Sequence, residues 1–238
     1  MKEFKWKSII TRIINNSKLT FRFFQPVYIF LFVNLFLISG CSNINKNEYI
    51  KICSTTKLPC IDSNEYVLFI TNKGNIKLEL YGKLAPITVG NFIDFVEKGS
   101  YDKTIFNRVI KKPYPFIIRG GDNTSIGNQN KFIDTKIKDK RYIPLEIKLK
   151  TSNLPIYGKE IDEPSQINNI ELKHKRSYLS MARSKALNSA SLQFYILLKA
   201  LPELDGRFAV FGKVISGMNI VDLIEEEDLI IEAIRVDS

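Results

Sequence analysis

The chain is poor in the side chains that most enzymes use to move protons or hold metals. Its 238 residues include one histidine, His174, one tryptophan, Trp6, and three cysteines. One histidine without a plausible triad leaves every serine and cysteine lacking an activating base, which argues against Ser-His-Asp and Cys-His hydrolases. A zinc site lacks support for the same reason, since His174 lies far from Cys53 and Cys60 and no second cysteine pair exists. No glycine-rich phosphate loop is present, because Gly120-Gly121 runs straight into Asp122, whose carboxylate would repel a phosphate. The apolar run from Val27 to Ile38, broken by Asn34, is shorter than the roughly 20 residues of a membrane-spanning helix. No cofactor, metal or nucleotide is therefore expected. The reactions left are those that need neither proton transfer nor a covalent intermediate, and His174 by itself reads as structural or exposed.

What the sequence has in excess is positive charge, a formal +10, but its placement matters more than its size. Lys2, Lys5, Lys7, Arg12, Lys18 and Arg22 against Glu3 supply half of it within the first 40 residues. The rest is interleaved with acids and not with aromatics, the pattern of a solvated surface, so no nucleic-acid partner is expected. A basic stretch leading into a short apolar run and ending in small residues has the shape of a secretory signal. Its end, Ile38-Ser39-Gly40-Cys41, resembles a bacterial lipobox, which would make Cys41 the lipidated first residue of the mature protein. Residues 1–40 are then a lipoprotein signal peptide, and 41–64, rich in Asn, Lys, Ser and Thr, a linker to a domain at 65–238. Export would permit a disulfide between Cys53 and Cys60; two free thiols in a flexible leader are the alternative.

Within 65–238 the periodicities are short. Tyr66 to Thr71 and Ile76 to Tyr81 read as a hairpin with Ile76, Leu78 and Leu80 on one face. Pro86 opens a helix whose Val89, Phe92, Ile93 and Val96 share a face, with Gly99 as its stop. Strands follow at about 104–110 and 116–119. A long polar stretch then runs to about Arg176, broken by a possible strand at Tyr142 to Ile147. Its length predicts partial structure lying over one side of a site. Strands return at 178–182, 193–198 and 208–215, followed by a short helix near 219–226 and a last strand at 229–236. The pattern is mainly β and, by itself, fits a sandwich as well as a barrel.

Four segments carry chemistry in order: Phe106-Asn107-Arg108 with Phe116-Ile117-Ile118-Arg119-Gly120-Gly121-Asp122, then Leu179-Ser180-Met181-Ala182-Arg183, then Gln193-Phe194-Tyr195-Ile196, then Leu204-Asp205-Gly206-Arg207-Phe208-Ala209-Val210-Phe211-Gly212. Together they resemble the cyclophilin family of peptidyl-prolyl cis-trans isomerases. The resemblance implies a closed eight-stranded antiparallel β-barrel capped by two α-helices, and X-Pro segments of unfolded or flexible chains as substrates. It also implies Arg108 as the catalytic residue, with Phe116, Ile117, Ala182, Arg183, Gln193, Tyr195, Leu204 and Phe208 binding substrate. With the lipobox, it implies a monomer anchored by its lipid to a bacterial membrane, in the periplasm or on the outer face of the cytoplasmic membrane.

The chain departs from the family pattern in several places. Asn107 replaces a histidine, and Arg119 replaces the glutamine that helps to hold the catalytic arginine. Adjacent guanidinium groups would repel unless an acid such as Asp122 or Glu146 intervened. The segment Lys111-Lys112-Pro113-Tyr114-Pro115 is longer than the usual turn. Glu203 replaces a tryptophan, which predicts weak cyclosporin binding, and Phe208 replaces a His or Tyr. These changes keep open a second reading, a peptide-binding chaperone with little turnover. A structural surface lipoprotein that binds no peptide stands third.

Overall fold

The computed structural model describes residues 57–122 and 141–238, together with Cys53 and the backbone of 133–134 and 139–140. The expected signal peptide, Cys41 as the expected lipidation residue and most of the expected linker lie outside the described residues. Among the described residues no helix is long and apolar enough to cross a membrane.

Eight strands close into an antiparallel barrel. They are β1 (Asn64–Thr71), β2 (Gly74–Tyr81), β3 (Thr104–Val109), β4 (Ile117–Asp122), β9 (Tyr178–Met181), β10 (Phe194–Leu197), β11 (Val210–Ser216) and β12 (Leu229–Val236). Around the barrel they run β1-β12-β3-β4-β10-β9-β11-β2, so that no edge of this sheet is left unpaired. The short pairs β5 (Ile133–Asp134) with β6 (Asp139–Lys140) and β7 (Glu146–Ile147) with β8 (Ile156–Tyr157) lie between β4 and β9 in sequence. Closure resolves the choice between sandwich and barrel that the alternation of residues left open.

The first hairpin is tighter than the sequence suggests. Thr71 pairs directly with Gly74, leaving only Asn72-Lys73 in the turn, and the Thr71 hydroxyl donates to the Gly74 carbonyl at 2.6 Å. Val67, Phe69, Ile76, Leu78 and Leu80 are fully buried and form the core with helix α1 (Pro86–Glu97). That helix begins with Pro86 at its first turn and has no side-chain cap from Ala85. Its exposed amides are satisfied from a distance: the buried Glu146 carboxylate accepts from Ile87 N at 3.2 Å and Thr88 N at 2.8 Å. This places an anion at a helix N-terminus, where the dipole favours it. The helix ends with Ser100 N donating to Phe95 O and Gly99 N to Val96 O, Gly99 having φ +61°, which is a Schellman stop on the expected glycine.

Two further helices, α2 (Pro164–Asn168) and α3 (Met218–Leu223), follow. The short α2 is one more than the two expected. It belongs to the long polar stretch, which has a small core of Leu145, Ile147, Leu149, Ile161 and Ile170, completed by Ala209 from just before β11. The stretch is thus partly structured as expected, although the proposed strand at 142–147 is reduced to an Ile143 bridge with Ala190 and the two residues of β7.

The folded part also starts earlier than residue 65. Leu58, Cys60 and Ile61 pack against the main core, and Ile61 N donates to Pro86 O at 3.1 Å. Gly90 makes room for them, since a Cβ there would lie 2.5 Å from Cys60 N and from Pro59 O. Residues 58–61 are therefore a strap on α1, which corrects their assignment to a linker. Cys53 and Cys60 are joined as a disulfide, with their Cα atoms 5.6 Å apart.

Candidate active site

Successive strand residues point to opposite faces, and β4 and β10 use this to serve two clusters, while β3 adds Phe106 to the inner one. Phe106, Ile118, Phe194 and Ile196 enter the barrel core. Ile117, Tyr195 and Leu197 face outward and, with Leu201, form a separate apolar cluster that Phe116, Ala182, Leu204 and Phe208 join. The open groove there holds about 180 Å³ and is lined by Phe116, Ile117, Arg119, Ala182, Arg183, Tyr195, Leu204 and Phe208. Seven of the eight residues expected to bind substrate thus meet in one place. Gln193 precedes β10 and lies outside this lining, although its carbonyl accepts from Ala182 N at 2.9 Å, beside it.

Two irregularities shape the wall made by β3 and β4. Phe106 pairs with Gly120 and Arg108 with Arg119, so Asn107 is an extra residue on β3, a bulge that re-aims its neighbours. On β4 the extra residue is Gly121, at φ +82°, where a Cβ would lie 2.9 Å from Leu192 O and 3.1 Å from the Tyr101 ring. Gly121→Ala is therefore expected to destabilise the protein by about 2 kcal/mol or more, read as a shift of the urea midpoint at unchanged slope.

The bulge brings Arg119 and Asn107 together, with Arg119 Nε donating to Asn107 Oδ1 at 3.1 Å. Arg119 is half-buried and lines the groove, whereas Arg108 is exposed and is absent from the lining. Neither guanidinium has an ion pair among the described residues. Glu146 does not intervene between them, because it caps α1; the Asp122 side chain lies outside what is described. On the opposite wall Arg183 is fixed. Its Nη2 pairs with Glu160, its Nε donates to Arg207 O at 3.0 Å, and its guanidinium stacks 4.8 Å from the centre of the Phe208 ring. Glu160 lies in the long stretch between β4 and β9, which therefore supports one side of the groove.

Behind the groove lies a polar network that sequence reasoning missed. His174 is buried, its Nδ1 is 2.9 Å from Asp205 Oδ1, and its Nε2 is 3.2 Å from the Tyr195 hydroxyl. Asp205 Oδ1 also accepts from the His174 backbone amide at 2.8 Å. An ionised carboxylate only accepts, so the consistent arrangement has Nδ1–H donating to Asp205 and the tyrosine donating to Nε2. Burial pushes the Tyr195 hydroxyl up, so it remains a proton donor. The network holds the Tyr195 ring edge-on to Phe208, with centroids 6.0 Å apart.

Burial opposes ionisation of Asp205, but the hydrogen bonds from His174 outweigh it and hold its carboxyl below the usual carboxylate range. A folded value below the unfolded one means that this carboxylate adds stability above the unfolded value. That contribution is lost as pH falls through the folded value. Asp205→Asn should accordingly flatten the acid limb of the stability curve between about pH 5 and pH 2, as followed by urea melts.

An outward apolar groove on a closed barrel, with guanidinium groups on its wall and no serine or cysteine in its lining, suits the binding of extended peptide without covalent chemistry; its one hydroxyl, that of Tyr195, is buried and donates to His174. The comparisons agree with this. The family model for cyclophilin type peptidyl-prolyl cis-trans isomerases matches residues 66–235, and the chain belongs to that family. It is 34% identical over 169 residues to peptidyl-prolyl cis-trans isomerase A of Dickeya dadantii, covering 69% of this chain and 73% of that protein. It is 38% identical over 167 residues to peptidyl-prolyl cis-trans isomerase-like 2 of Rhizopus delemar, covering 69% of this chain but only 26% of that longer protein. A crystal structure of a cyclophilin type isomerase from Cryptosporidium parvum, obtained in the presence of the dipeptide Ala-Pro, superposes with a TM-score of 0.54 at 30% identity. The match covers 73% of this chain and 99% of that one.

Proposed function

We propose that this protein accelerates X-Pro isomerisation in exported proteins as they fold, with Arg108 stabilising the twisted amide. The barrier to rotation, about 18–20 kcal/mol, is the loss of amide resonance. As the bond twists, the proline nitrogen regains its lone pair and becomes a better acceptor. A guanidinium beside it then binds the twisted state more strongly than either planar form, which is what catalysis requires. Arginine suits the role because it stays charged. The observation that carries this reading is the groove itself: Phe116, Ile117, Tyr195, Leu204 and Phe208 offer an apolar seat for a proline ring next to the strand pair that bears Arg108 and Arg119. The Ala-Pro dipeptide used with the Cryptosporidium relative has the matching chemistry.

Export and lipidation rest on the signal-like N-terminus ending in Cys41. An anchor there would keep the catalyst where new chains emerge, and uncatalysed isomerisation takes tens to hundreds of seconds, slow enough to limit their folding. Labelled palmitate should enter the wild-type protein and not Cys41→Ala; equal labelling would remove the anchor. The reaction is tested by refolding of a proline-limited protein, whose slow phase should speed up with catalytic amounts of this chain.

The second reading, a peptide-binding chaperone with little turnover, is favoured by one observation: Arg119 and Arg183 line the groove and Arg108 does not. It predicts a slow phase that is unchanged or retarded while peptide still binds.

A further inference from the structure

Resting on the reading of the groove as an X-Pro site, we infer that Arg108 and Arg119 together form an anion subsite. Through it the protein selects X-Pro segments carrying a carboxylate or phosphate next to the proline.

The argument starts from the register. Arg108 and Arg119 are directly paired across β3 and β4. Side chains opposite each other in an antiparallel pair stand about 5 Å apart at Cβ, and like charges there repel. Such a pair is normally relieved by an acid between or beside the two groups. Here the Glu226 carboxylate accepts from the Val109 amide of β3 at 3.1 Å and makes no ion pair among the described residues. The eight lining residues of the groove include no acid, and the Glu160 carboxylate next to it pairs with Arg183. Arg119 is tied only through Nε to Asn107, a neutral partner, so its two terminal nitrogens have no hydrogen bond among the described residues. They are the donors that a carboxylate or phosphate engages in a fork. Lys111, three residues past Arg108, turns its ammonium to the Asp222 carbonyl at 2.6 Å, and the hollow it lines with Glu225 and Glu226 is separate from the groove.

A ligand anion lying between the two guanidinium groups would turn their repulsion into attraction to itself. A neutral or basic neighbour of the proline would leave the repulsion in place or increase it. Selectivity between substrates is a difference of this kind, in which the penalised partner matters as much as the favoured one.

The test uses the full chain and two peptide series. Glu, Gln or Lys stands before the proline in one series and after it in the other, and a phosphoserine peptide is added to each. Dissociation constants and exchange rates are measured by NMR at low salt and at 0.5 M salt. In at least one series the Glu or phosphoserine peptide is expected to bind at least tenfold more tightly than the Lys peptide. That ratio should fall to threefold or less in Arg119→Gln and shrink in high salt, while Arg119→Lys retains more of it. A preference confined to phosphoserine would identify phosphate as the anion, and a preference shared with Glu would show that a carboxylate suffices. Equal affinity for Glu and Lys peptides in both series, or a ratio unmoved by Arg119→Gln, would overturn the subsite. The Gln peptides report separately on the underlying reading: if their exchange is not accelerated, isomerase activity fails while the affinity ratios still decide the subsite.

Discussion

Arg108→Ala is expected to lower kcat/KM for X-Pro peptides by about 10²–10³-fold, the usual cost of removing one donor aimed at charge that develops in the transition state. The loss should fall on kcat, since the guanidinium interacts with the twisted amide more than with either planar form. Folding should be almost untouched. Arg108 is exposed and has neither hydrogen bond nor ion pair among the described residues, and surface substitutions of this kind usually shift stability by less than about 0.5 kcal/mol. The combination of lost turnover and an unchanged melting curve separates a catalytic role from a structural one. A variant that retains most of its activity would move the catalytic role to Arg119, whose guanidinium lines the groove and, unlike that of Arg183, has no acid partner among the described residues.

The second large effect lies at Arg141, which is 1% exposed. Its Nε donates to Asn91 Oδ1 at 2.8 Å, its Nη1 to Asp94 Oδ2 at 2.6 Å, and its guanidinium sits 4.1 Å from the centre of the Phe95 ring. All three partners are on α1, so this one side chain fastens the long polar stretch, at a point within it, to the helix. Burial works against ionisation of Asp94, but bonds from Lys98 and Arg141 outweigh it and hold its carboxyl below the ordinary range. Removing one member of a buried pair typically costs about 3–5 kcal/mol. Asp94 is partly exposed and keeps Lys98, so Arg141→Ala should cost about 3 kcal/mol, lowering the melting temperature by roughly 6–12 °C. Arg141→Lys should recover only part of this, because a point charge cannot reproduce the fork or the ring contact. Turnover per folded molecule should be unchanged, since α1 contributes nothing to the groove lining.

How far the sequence reveals this molecule depends on how local each signal is. The eight strands follow from alternation, and α1 from Pro86, the spacing of its apolar residues and Gly99, all features of a few adjacent residues. The groove residues were legible because each lies in a short segment of recognisable order. Contacts between polar residues distant in sequence were not. His174 is bonded to Asp205, 31 residues on, and to Tyr195, 21 residues on, and nothing in a lone histidine announces either partner. Arg141 stands in a stretch that looks solvated, and its burial appears only once α1 is placed against it. Leu58, Cys60 and Ile61 look like part of a linker because the pocket that receives them is created by Gly90, in the next element but two. That Arg108 and not Asn107 stands opposite Arg119 turns on a one-residue bulge at Asn107, and the side-chain pattern does not encode it.

The most direct test of the account is exchange NMR on a short Ala-Pro peptide with a catalytic amount of the protein. Uncatalysed interconversion takes tens to hundreds of seconds, far too slow for exchange cross-peaks between the cis and trans signals. The account predicts such cross-peaks within sub-second mixing times for the wild-type protein and their loss with Arg108→Ala. Peptide signals that shift on binding while the cis and trans forms remain in slow exchange would contradict it and leave a protein that holds proline peptides without turning them.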